Sequence, residues 1–258
     1  MAITLRSSRE IELLRRAGAV VAEVLSKVRD AAKPGMSTGR LDELAAEVTA
    51  RAGGTALFKG VESPYAKRPF PGIICASINE QVVHGIPSAG TRLKNGDILS
   101  IDYGVKLTGY CGDAALTFGI GRISPARQKL IDVTKQLLDI AIETSAPGVK
   151  WSRIAGRMEA CAKRAGFSVV KDFVGHGIGR QMHEDPKIPN FVSEELMKND
   201  IILREGMMLA VEPMVNMGTS SVRTLRDGWT VVTKDGKCSA HFEHTLAIVK
   251  SGCEVMTV

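Results

Sequence analysis

Four acidic residues occupy matching places in two separate parts of the chain. Asp102 and Glu212 each lie six residues after a turn glycine at the end of an apolar run, and Asp113 and Glu243 each lead into an apolar run. A single carboxylate in a strand usually faces solvent or forms a salt bridge. Four carboxylates at equivalent places of a repeat would instead meet at one centre, where burial without cations is very costly. Because two metal ions neutralise about four carboxylates, the pattern predicts a dinuclear metal site.

The histidines favour the same chemistry. His176 lies in the glycine-rich run VGHGIG, where both an imidazole and the backbone could approach an ion. His244 alternates with Glu243 and should therefore face the other side of its strand. His241 should share the face of Glu243 and is expected beside the ions rather than bound to them. Mixed carboxylate and imidazole ligands favour Mn, Fe, Co, Ni or Zn over Ca or Mg.

Helices with clear start and stop signals precede both pairs of carboxylates. Residues 7–10 read SSRE, a capping box that predicts the start of a helix, and Pro34 ends that helix. A second helix is predicted over about residues 39–51 from the spacing of its apolar residues. Ser124 predicts the start of a third helix, because a proline follows it in the first turn.

The helix pairs belong to a repeat. Segment 34–53 aligned with segment 147–166, which starts 113 residues later, gives six identities in twenty, and β-rich sequence follows each segment. We therefore predict two halves, about residues 1–121 and 122–258, each with two helices before its strands and related by a pseudo-twofold axis. Runs of helices and runs of strands favour an α+β domain in which helices cover one face of a largely antiparallel sheet.

The composition excludes several classes of protein. Of the 258 residues 44% are hydrophobic and 24% are charged, and the mean hydropathy is +0.03, which excludes a disordered, collagen-like or membrane-spanning chain. The first 16 residues lack the apolar core of a signal peptide, so a cytoplasmic protein is expected. The five cysteines have no Cys-x-x-Cys spacing, which predicts neither a disulfide framework nor a thiolate zinc site.

The charge alone leaves the partner open. A net charge of +6 and a pI of about 9.1 are compatible with a nucleic acid, the ribosome or an acidic membrane. They are equally compatible with no such partner, because no run of Lys or Arg reaches five residues.

Seven short motifs, distributed over nearly the whole chain, can be compared with known families. They are CASINEQVVHGIP (75–87), SIDYGV (100–105), GYCGD (109–113), GHGIG (175–179), MHEDP (182–186), VEPM (211–214) and FEHT (242–245). In this order they resemble the type I methionine aminopeptidases of bacterial type, and the likeness extends from about residue 9 to residue 249. The resemblance implies the pita-bread fold, a pseudo-twofold α+β arrangement that agrees with the repeat, as a single catalytic domain over residues 1–258.

The resemblance also implies a set of five ligands for two divalent ions, which would be Co, Mn, Fe, Zn or Ni. Asp113 and Glu243 would bridge the two ions. Asp102 would chelate one ion, and His176 with Glu212 would complete the coordination of the other.

The implied reaction is removal of the N-terminal methionine from nascent proteins and peptides, preferentially when the second residue is small. A hydroxide shared by the ions would attack the first peptide bond, while the free α-amine of the substrate reaches the metal centre. Glu212 would pass a proton to the leaving amine. His84 and His183 would lie beside the ions and hydrogen-bond the substrate amide and the transition-state oxygen.

The pocket for the methionine side chain should be apolar and should suit a thioether. The positions that match the family's pocket are Phe70, Cys75, Met182 and Trp229. Three features depart from the family pattern: Met182 stands where many relatives carry an aromatic residue, His241 replaces a common glutamine, and segment 58–71 is longer than in some bacterial members.

The implied partners are nascent polypeptide N-termini, in the cytoplasm, for a protein that acts as a monomer. A weakly basic surface would then favour weak association with the ribosome, whereas no specific nucleic acid and no membrane partner is expected.

Three alternatives share the fold. Creatine- and proline-specific hydrolases need a large additional N-terminal domain, for which 258 residues leave no room. Type II methionine aminopeptidases carry an added helical segment in the second half, where His183 and Glu212 are only 29 residues apart. A non-catalytic, basic adaptor on the same fold would be expected to lose metal ligands, whereas all five positions are intact.

Overall fold

The computed structural model describes residues 3–258. Its helices are α1 (Ser8–Ala31), α2 (Thr38–Arg51), α3 (Pro125–Thr144), α4 (Trp151–Ala165) and α5 (Glu194–Lys198). Its strands are β1 (Thr55–Ala56), β2 (Cys75–Ile78), β3 (Gln81–Val83), β4 (Ile98–Leu107), β5 (Tyr110–Gly119), β6 (Ser168–Val169), β7 (Gly175–Gly177), β8 (Glu184–Ile188), β9 (Met208–Val211), β10 (Met214–Asn216), β11 (Val222–Thr224), β12 (Val231–Thr233), β13 (Ser239–His241), β14 (His244–Val249) and β15 (Gly252–Val255). None of the described helices has the length and apolar character needed to cross a membrane.

Capping residues begin and end the helices where the sequence predicts. Ser7 Oγ accepts a hydrogen bond from Glu10 N at 3.4 Å, and the Glu10 carboxylate accepts one from Ser7 N at 3.0 Å, which is the predicted capping box. Ser124 caps α3, and Gly166 ends α4 with a φ of 86°, a conformation that glycine adopts easily. The four predicted helices are confirmed. The sequence pattern does not predict the five-residue α5, which buries a single side chain, Leu196.

The helices cover the strands through two large hydrophobic cores. In one core, Val21 of α1 and Leu41 of α2 pack with Leu99 of β4. In the other core, Leu137 of α3 packs among the same buried residues as Leu209 of β9. Each such side chain contributes about 1.5–3 kcal/mol when it is fully buried, so these faces hold the helices on the strands. The two cores support a division into two halves, whose boundary near residue 121 stays a prediction.

The strands form four antiparallel sheets rather than one continuous sheet. In one sheet β4 pairs with β1, β2 and β5. The other three have the orders β15-β14-β9-β7-β8, β13-β10-β6 and β11-β12-β3. The antiparallel α+β architecture is therefore confirmed, with the single predicted sheet divided into parts.

Strand β5 meets the segment from the end of β13 to the start of β14 along a seam that we call the junction, the contact of residues 113–117 with residues 241–245. One isolated backbone bridge connects them, and threonine hydroxyls replace the ladder bonds on either side. Its hydrogen bonds are Ala115 N to Glu243 O (3.3 Å), Glu243 N to Ala115 O (2.8 Å), Thr117 Oγ1 to His241 O (2.7 Å), His241 N to Thr117 Oγ1 (2.8 Å), Asp113 N to Thr245 Oγ1 (3.1 Å) and Thr245 Oγ1 to Asp113 O (2.8 Å). The junction thus fixes two of the predicted metal ligands relative to each other.

Candidate metal centre

The strands present the predicted ligands from both halves of the chain. Asp102 of β4 is paired with Ala115 and Asp113 of β5 with Gly104, so the two carboxylates project from the same face of this hairpin. Asp102 lies inside β4, one of the two places expected for it, and Asp113 lies inside β5 rather than ahead of a strand, because β4 and β5 stay paired from residue 98 to residue 119. The other two acids match the prediction, since Glu212 directly follows β9 and Glu243 directly precedes β14.

Four of the five predicted ligands, all but Asp102, have ligand atoms that approach one another at the junction. His176 Nε2 lies 3.6 Å from Glu212 Oε1 and 4.0 Å from Asp113 Oδ2. Glu243 belongs to two groups in which the ligand atoms all lie within 4.8 Å of one another. One group joins it to Asp113 and His176, and the other joins it to Glu212 and His241. Glu243 is therefore the residue common to both groups, as a bridging ligand would be.

We call the five predicted ligands the acidic cluster, and burial governs its electrostatics. Desolvation raises the pKa values of Asp113, Glu212 and Glu243 well above their usual range, and the negative charge of Asp102 raises all three further. Burial also raises the pKa of Asp102 to about 7. Among residues 3–258, the buried atoms Asp102 Oδ1, Asp113 Oδ1 and Glu243 Oε1 have no hydrogen-bond partner. Buried oxygens with raised pKa values and no donors fit divalent cations.

His176 has the tautomer that a metal ligand needs. Its Nδ1 lies 2.9 Å from Gly177 O, a contact that assigns the ring proton to Nδ1 and leaves the lone pair on Nε2. Burial, with a smaller contribution from the neighbouring His183, lowers the pKa of His176 to about 4. The imidazole is therefore neutral near pH 7, with its free nitrogen towards two carboxylates.

His84 and His183 lie beside the acidic cluster. The His183 ring meets the His176 ring edge-on, with 4.3 Å between the centroids, and the His84 ring meets Phe173 in the same way at 5.6 Å. His84 has a φ of 58°, which is unusual for a residue with a side chain. Burial lowers the pKa of His84 to about 4, with a smaller contribution from His183, whose own pKa is also lowered by burial. Both imidazoles are therefore neutral at pH 7, and each can donate one N–H.

The four predicted pocket residues lie together in one small apolar group. Phe70 and Cys75 are buried within it, and Met182 and Trp229 pack against them. The rings of Phe70 and Trp229 meet edge-on with 5.3 Å between centroids, and Trp229 Nε1 donates a hydrogen bond of 3.0 Å to Arg68 O. Segment 58–71, which is hard to align by sequence, thus contributes to this apolar group, which we call the apolar pocket after its predicted role.

Sequence reasoning missed two further residues of the pocket. Phe58 is buried in the same group, and Gly104 lies between the pocket and the acidic cluster. A Cβ at Gly104 would stand 3.2 Å from Phe58 Cε1 and 3.3 Å from both Asp113 Oδ1 and Met182 Cε. A side chain at residue 104 would therefore be crowded between the apolar residues and the acidic cluster. The signal was available, because Gly104 follows Asp102 by two residues and so shares its face of the strand.

Known proteins show the same combination of motifs and fold. Residues 12–250 match the metallopeptidase family M24. The chain belongs to this family. The methionine aminopeptidase of Clostridium perfringens is 45% identical over 99% of both chains, and that of Aquifex aeolicus is 44% identical over 100% of this chain and 99% of its own. The predicted resemblance is confirmed, and the protein is a hydrolase rather than a non-catalytic adaptor.

Solved structures of M24 peptidases confirm the fold. The methionine aminopeptidase of Thermotoga maritima superimposes with a TM-score of 0.93 at 38% identity, covering 99% of both chains. The Xaa-Pro dipeptidase of Bacillus anthracis shares the fold, with a TM-score of 0.75 at 19% identity, and this chain covers 61% of it. The pita-bread α+β architecture is therefore that of the M24 peptidases.

His241 lies closer to the centre of this M24 site than the sequence suggests. Its Nε2 atom is 3.7 Å from Glu212 Oε2, the oxygen that does not face His176, and among the described residues it has no hydrogen-bond partner. Burial lowers the pKa of His241 to about 3, so the ring is neutral. By contrast His244 faces away, as predicted, and its Nδ1 lies 2.8 Å from Thr257 Oγ1.

Proposed function

We propose that this M24 peptidase uses two divalent metal ions to remove methionine from the N-termini of nascent proteins and peptides, preferentially when the second residue is small. The observation that carries the proposal is the contact between the apolar pocket and the acidic cluster. Cys75 of the pocket pairs with Asp102 across β2 and β4, and Gly104 leaves space between Asp113 and Met182. A first side chain that fills the pocket would bring the first peptide bond to the cluster. The methionine aminopeptidases among the relatives support this activity.

The chemistry of the pocket suits the methionine side chain. Three aromatic rings and two sulfur-bearing side chains line it: Phe58, Phe70, Trp229, Cys75 and Met182. A thioether is favourable beside aromatic ring edges and adapts to an irregular apolar surface, because methionine is unbranched and polarizable. A charged or branched first residue would lose these contacts and be disfavoured.

The acidic cluster would hold the ions, with Asp113 and Glu243 as bridges between them. The position of Glu243 in both groups of ligand atoms supports this assignment. One imidazole among carboxylates suits Mn, Fe, Co, Ni or Zn. Divalent ions bound there would lower the pKa of a water molecule and polarise the scissile carbonyl.

The side chains around the cluster have their own tasks. The neutral form of a free α-amine, whose usual pKa is about 8, could bind to the ions that the cluster would hold, which would explain action on the first residue rather than inside a chain. Glu212, which lies 3.6 Å from His176 Nε2 at the centre of the cluster, would pass a proton to the leaving amine. His84 and His183, both neutral, would donate N–H groups to the substrate amide and to the developing oxyanion.

The proposal also includes where in the cell the protein acts. The protein would act as a monomer in the cytoplasm on chains that emerge from the ribosome. Its net charge of +6 supports weak association with the anionic ribosome surface.

A peptide series tests the proposed activity. The metal-loaded protein is expected to release methionine from Met-Ala-Ser at least about tenfold faster than from Met-Arg-Ser, because a large second residue crowds the site, a difference of about 1.4 kcal/mol. Acetylated Met-Ala-Ser is the matched control and should not be cleaved, because it lacks the free amine. Chromatographic measurement of released methionine decides the outcome, and no release from any of the three peptides would refute the proposal.

Metal binding is expected to tighten as the pH rises from about 5.5 to about 8. The carboxyl groups of the cluster have raised pKa values when no metal is bound, and Asp102, with a pKa of about 7, is partly protonated near neutral pH. A bound ion displaces these protons, and its affinity is therefore lost as the pH falls through these pKa values. The imidazole of His176 contributes no proton, because its pKa is lowered to about 4.

Calorimetry in buffers with different ionisation enthalpies measures this proton release directly. We expect about one proton or more to leave per ion bound at pH 7. Equal affinity at both ends of the pH range would contradict the raised pKa values of the cluster.

A further inference from the structure

Arg6 connects the first described residues to the candidate active site. It lies in the N-terminal strap, residues 3–7, and its backbone N–H donates a 2.7 Å hydrogen bond to Gly206 O. Its side chain is only 7% exposed and donates from Nη2 to Glu184. Glu184 ends a loop that we call the site turn, residues 179–184. A buried guanidinium that reaches 178 residues along the chain implies more than a surface ion pair.

The partner carboxylate of Arg6 holds the site turn with its other oxygen. Glu184 Oε1 accepts hydrogen bonds from Arg180 N at 2.9 Å and from Gln181 N at 3.1 Å, while Oε2 faces Arg6. The next two residues along the turn are Met182, which lines the apolar pocket, and His183, whose ring contacts His176. The carboxylate therefore lies between the strap and the two side chains that the turn presents to the site.

The surrounding backbone leaves room for this arginine. A Cβ at Gly179 would overlap the Arg6 guanidinium, and a Cβ at Gly206 would stand 2.8 Å from Arg6 O, where φ is +87°. The second terminal nitrogen of the arginine, Nη1, also faces a carboxylate and lies 3.7 Å from Glu10 Oε1. The same oxygen accepts a 2.9 Å hydrogen bond from the Tyr110 hydroxyl. Glycines lie at both places where the backbone passes close to Arg6, and a carboxylate faces each of its two terminal nitrogens. These features indicate that the surrounding structure is adapted to this arginine.

We propose that Arg6 is a positioning residue, which acts through Glu184 to hold the site turn so that His183 and Met182 face the acidic cluster and the apolar pocket. The catalytic consequence rests on the proposed function. His183 directly precedes Glu184 in the turn, so a shift of the turn backbone would move its ring relative to His176. Without the guanidinium, Glu184 would accept hydrogen bonds, among the described residues, only from the amides of Arg180 and Gln181. Its side chain would then move towards solvent and shift the backbone of the site turn. A displacement of the order of 1 Å at a substrate-binding group can cost about 10²-fold in rate.

Three variants separate positioning from general stability. Arg6→Ala removes the guanidinium, and Arg6→Lys keeps the charge but not the forked geometry that reaches two acceptors. Arg15→Ala is the matched control, because Arg15 forms a 2.6 Å ion pair from the surface of α1 to Glu254 and does not touch the site turn. If Arg6→Ala does not fold, Glu184→Gln breaks the same pair while it retains one acceptor oxygen for the turn.

The decisive readouts are hydrogen exchange of the amides at 178–184, metal content, and kcat and KM for Met-Ala-Ser, all well below the melting temperature. In Arg6→Ala we expect about tenfold faster exchange in the site turn and about tenfold lower kcat/KM, with unchanged metal content. Arg6→Lys should recover part of both effects, and Arg15→Ala should show neither.

Two results would overturn the assignment. One is a folded Arg6→Ala protein in which exchange of the site turn equals that of the unmodified protein. The other is faster exchange with unchanged kcat and KM, which would make the ion pair structural only. Exchange is measured without substrate, so absence of peptidase activity in the unmodified protein would refute the proposed function and leave the exchange comparison decisive for the turn.

Discussion

Replacement of Glu243 by glutamine is expected to remove bound metal and to lower kcat/KM for Met-Ala-Ser by at least about 10³-fold. Glu243 is the residue common to both groups of ligand atoms, and its Oε1 is buried without a hydrogen-bond partner among residues 3–258. Glutamine has nearly the same shape but supplies one neutral oxygen in place of a carboxylate. Elemental analysis of the purified protein, combined with the peptide assay, measures both losses.

The metal-free form of Glu243→Gln should behave in the opposite way. Burial and three neighbouring acidic residues raise the pKa of Glu243, so near pH 8 this carboxylate destabilises the protein when no cation is present. The variant should then have a higher melting temperature than the unmodified protein after metal removal. Loss of activity with gain of metal-free stability is a pattern that misfolding cannot produce.

The neighbouring histidine provides the control. His244 follows Glu243 in the chain but faces the other side of the strand, with a hydrogen-bond contact to Thr257. His244→Gln should keep its metal and nearly all of its activity. Two bound ions and full activity in Glu243→Gln would contradict the bridging assignment.

Replacement of His84 by asparagine is expected to lower kcat by about 10²- to 10³-fold while metal content stays unchanged. The imidazole is neutral, lies near His183, and packs its ring edge-on against Phe173 rather than against a carboxylate. Its removal should therefore cost transition-state stabilisation and leave the ions in place. This division between metal content and turnover distinguishes it from Glu243→Gln.

Asparagine is the proper substitution at this position because of the backbone. His84 has a φ of 58°, and asparagine tolerates this left-handed conformation better than most residues. His84→Ala should lose the same activity and in addition about 1 kcal/mol of stability. Turnover of His84→Asn within a fewfold of the unmodified protein would remove His84 from the catalytic assignment.

The features that sequence predicts well are those with local causes. Ser7 and Ser124 start helices because their hydroxyls accept hydrogen bonds from amides three residues later, and Gly166 ends one because glycine adopts a positive φ. The repeated carboxylates were also visible, because a charge inside an apolar run requires an explanation. The predicted pseudo-twofold repeat would bring these carboxylates to one centre.

The features that sequence does not predict depend on approach between distant segments. Residue 104 has to be glycine because Phe58 and Met182 approach the position that its Cβ would occupy. Arg6 is buried near the site because Glu184 lies beside it in space. The periodicity of the sequence does not reveal contacts between segments that are distant along the chain. The 3.7 Å between His241 Nε2 and Glu212 Oε2 is also not predictable from sequence. Alternation along a strand predicts which face a side chain is on, but not its distance from a residue of another segment.

The junction links the lifetime of the protein to the supply of metal in its surroundings. It joins β5 to residues 241–245 beside carboxylates that repel each other unless protons or cations lie between them. Without ions this repulsion acts along the seam, so the junction should open before either hydrophobic core unfolds. If the junction opens, its strands become accessible to proteases. Scarcity of metal should then lower the amount of the protein through degradation, with no change in its synthesis.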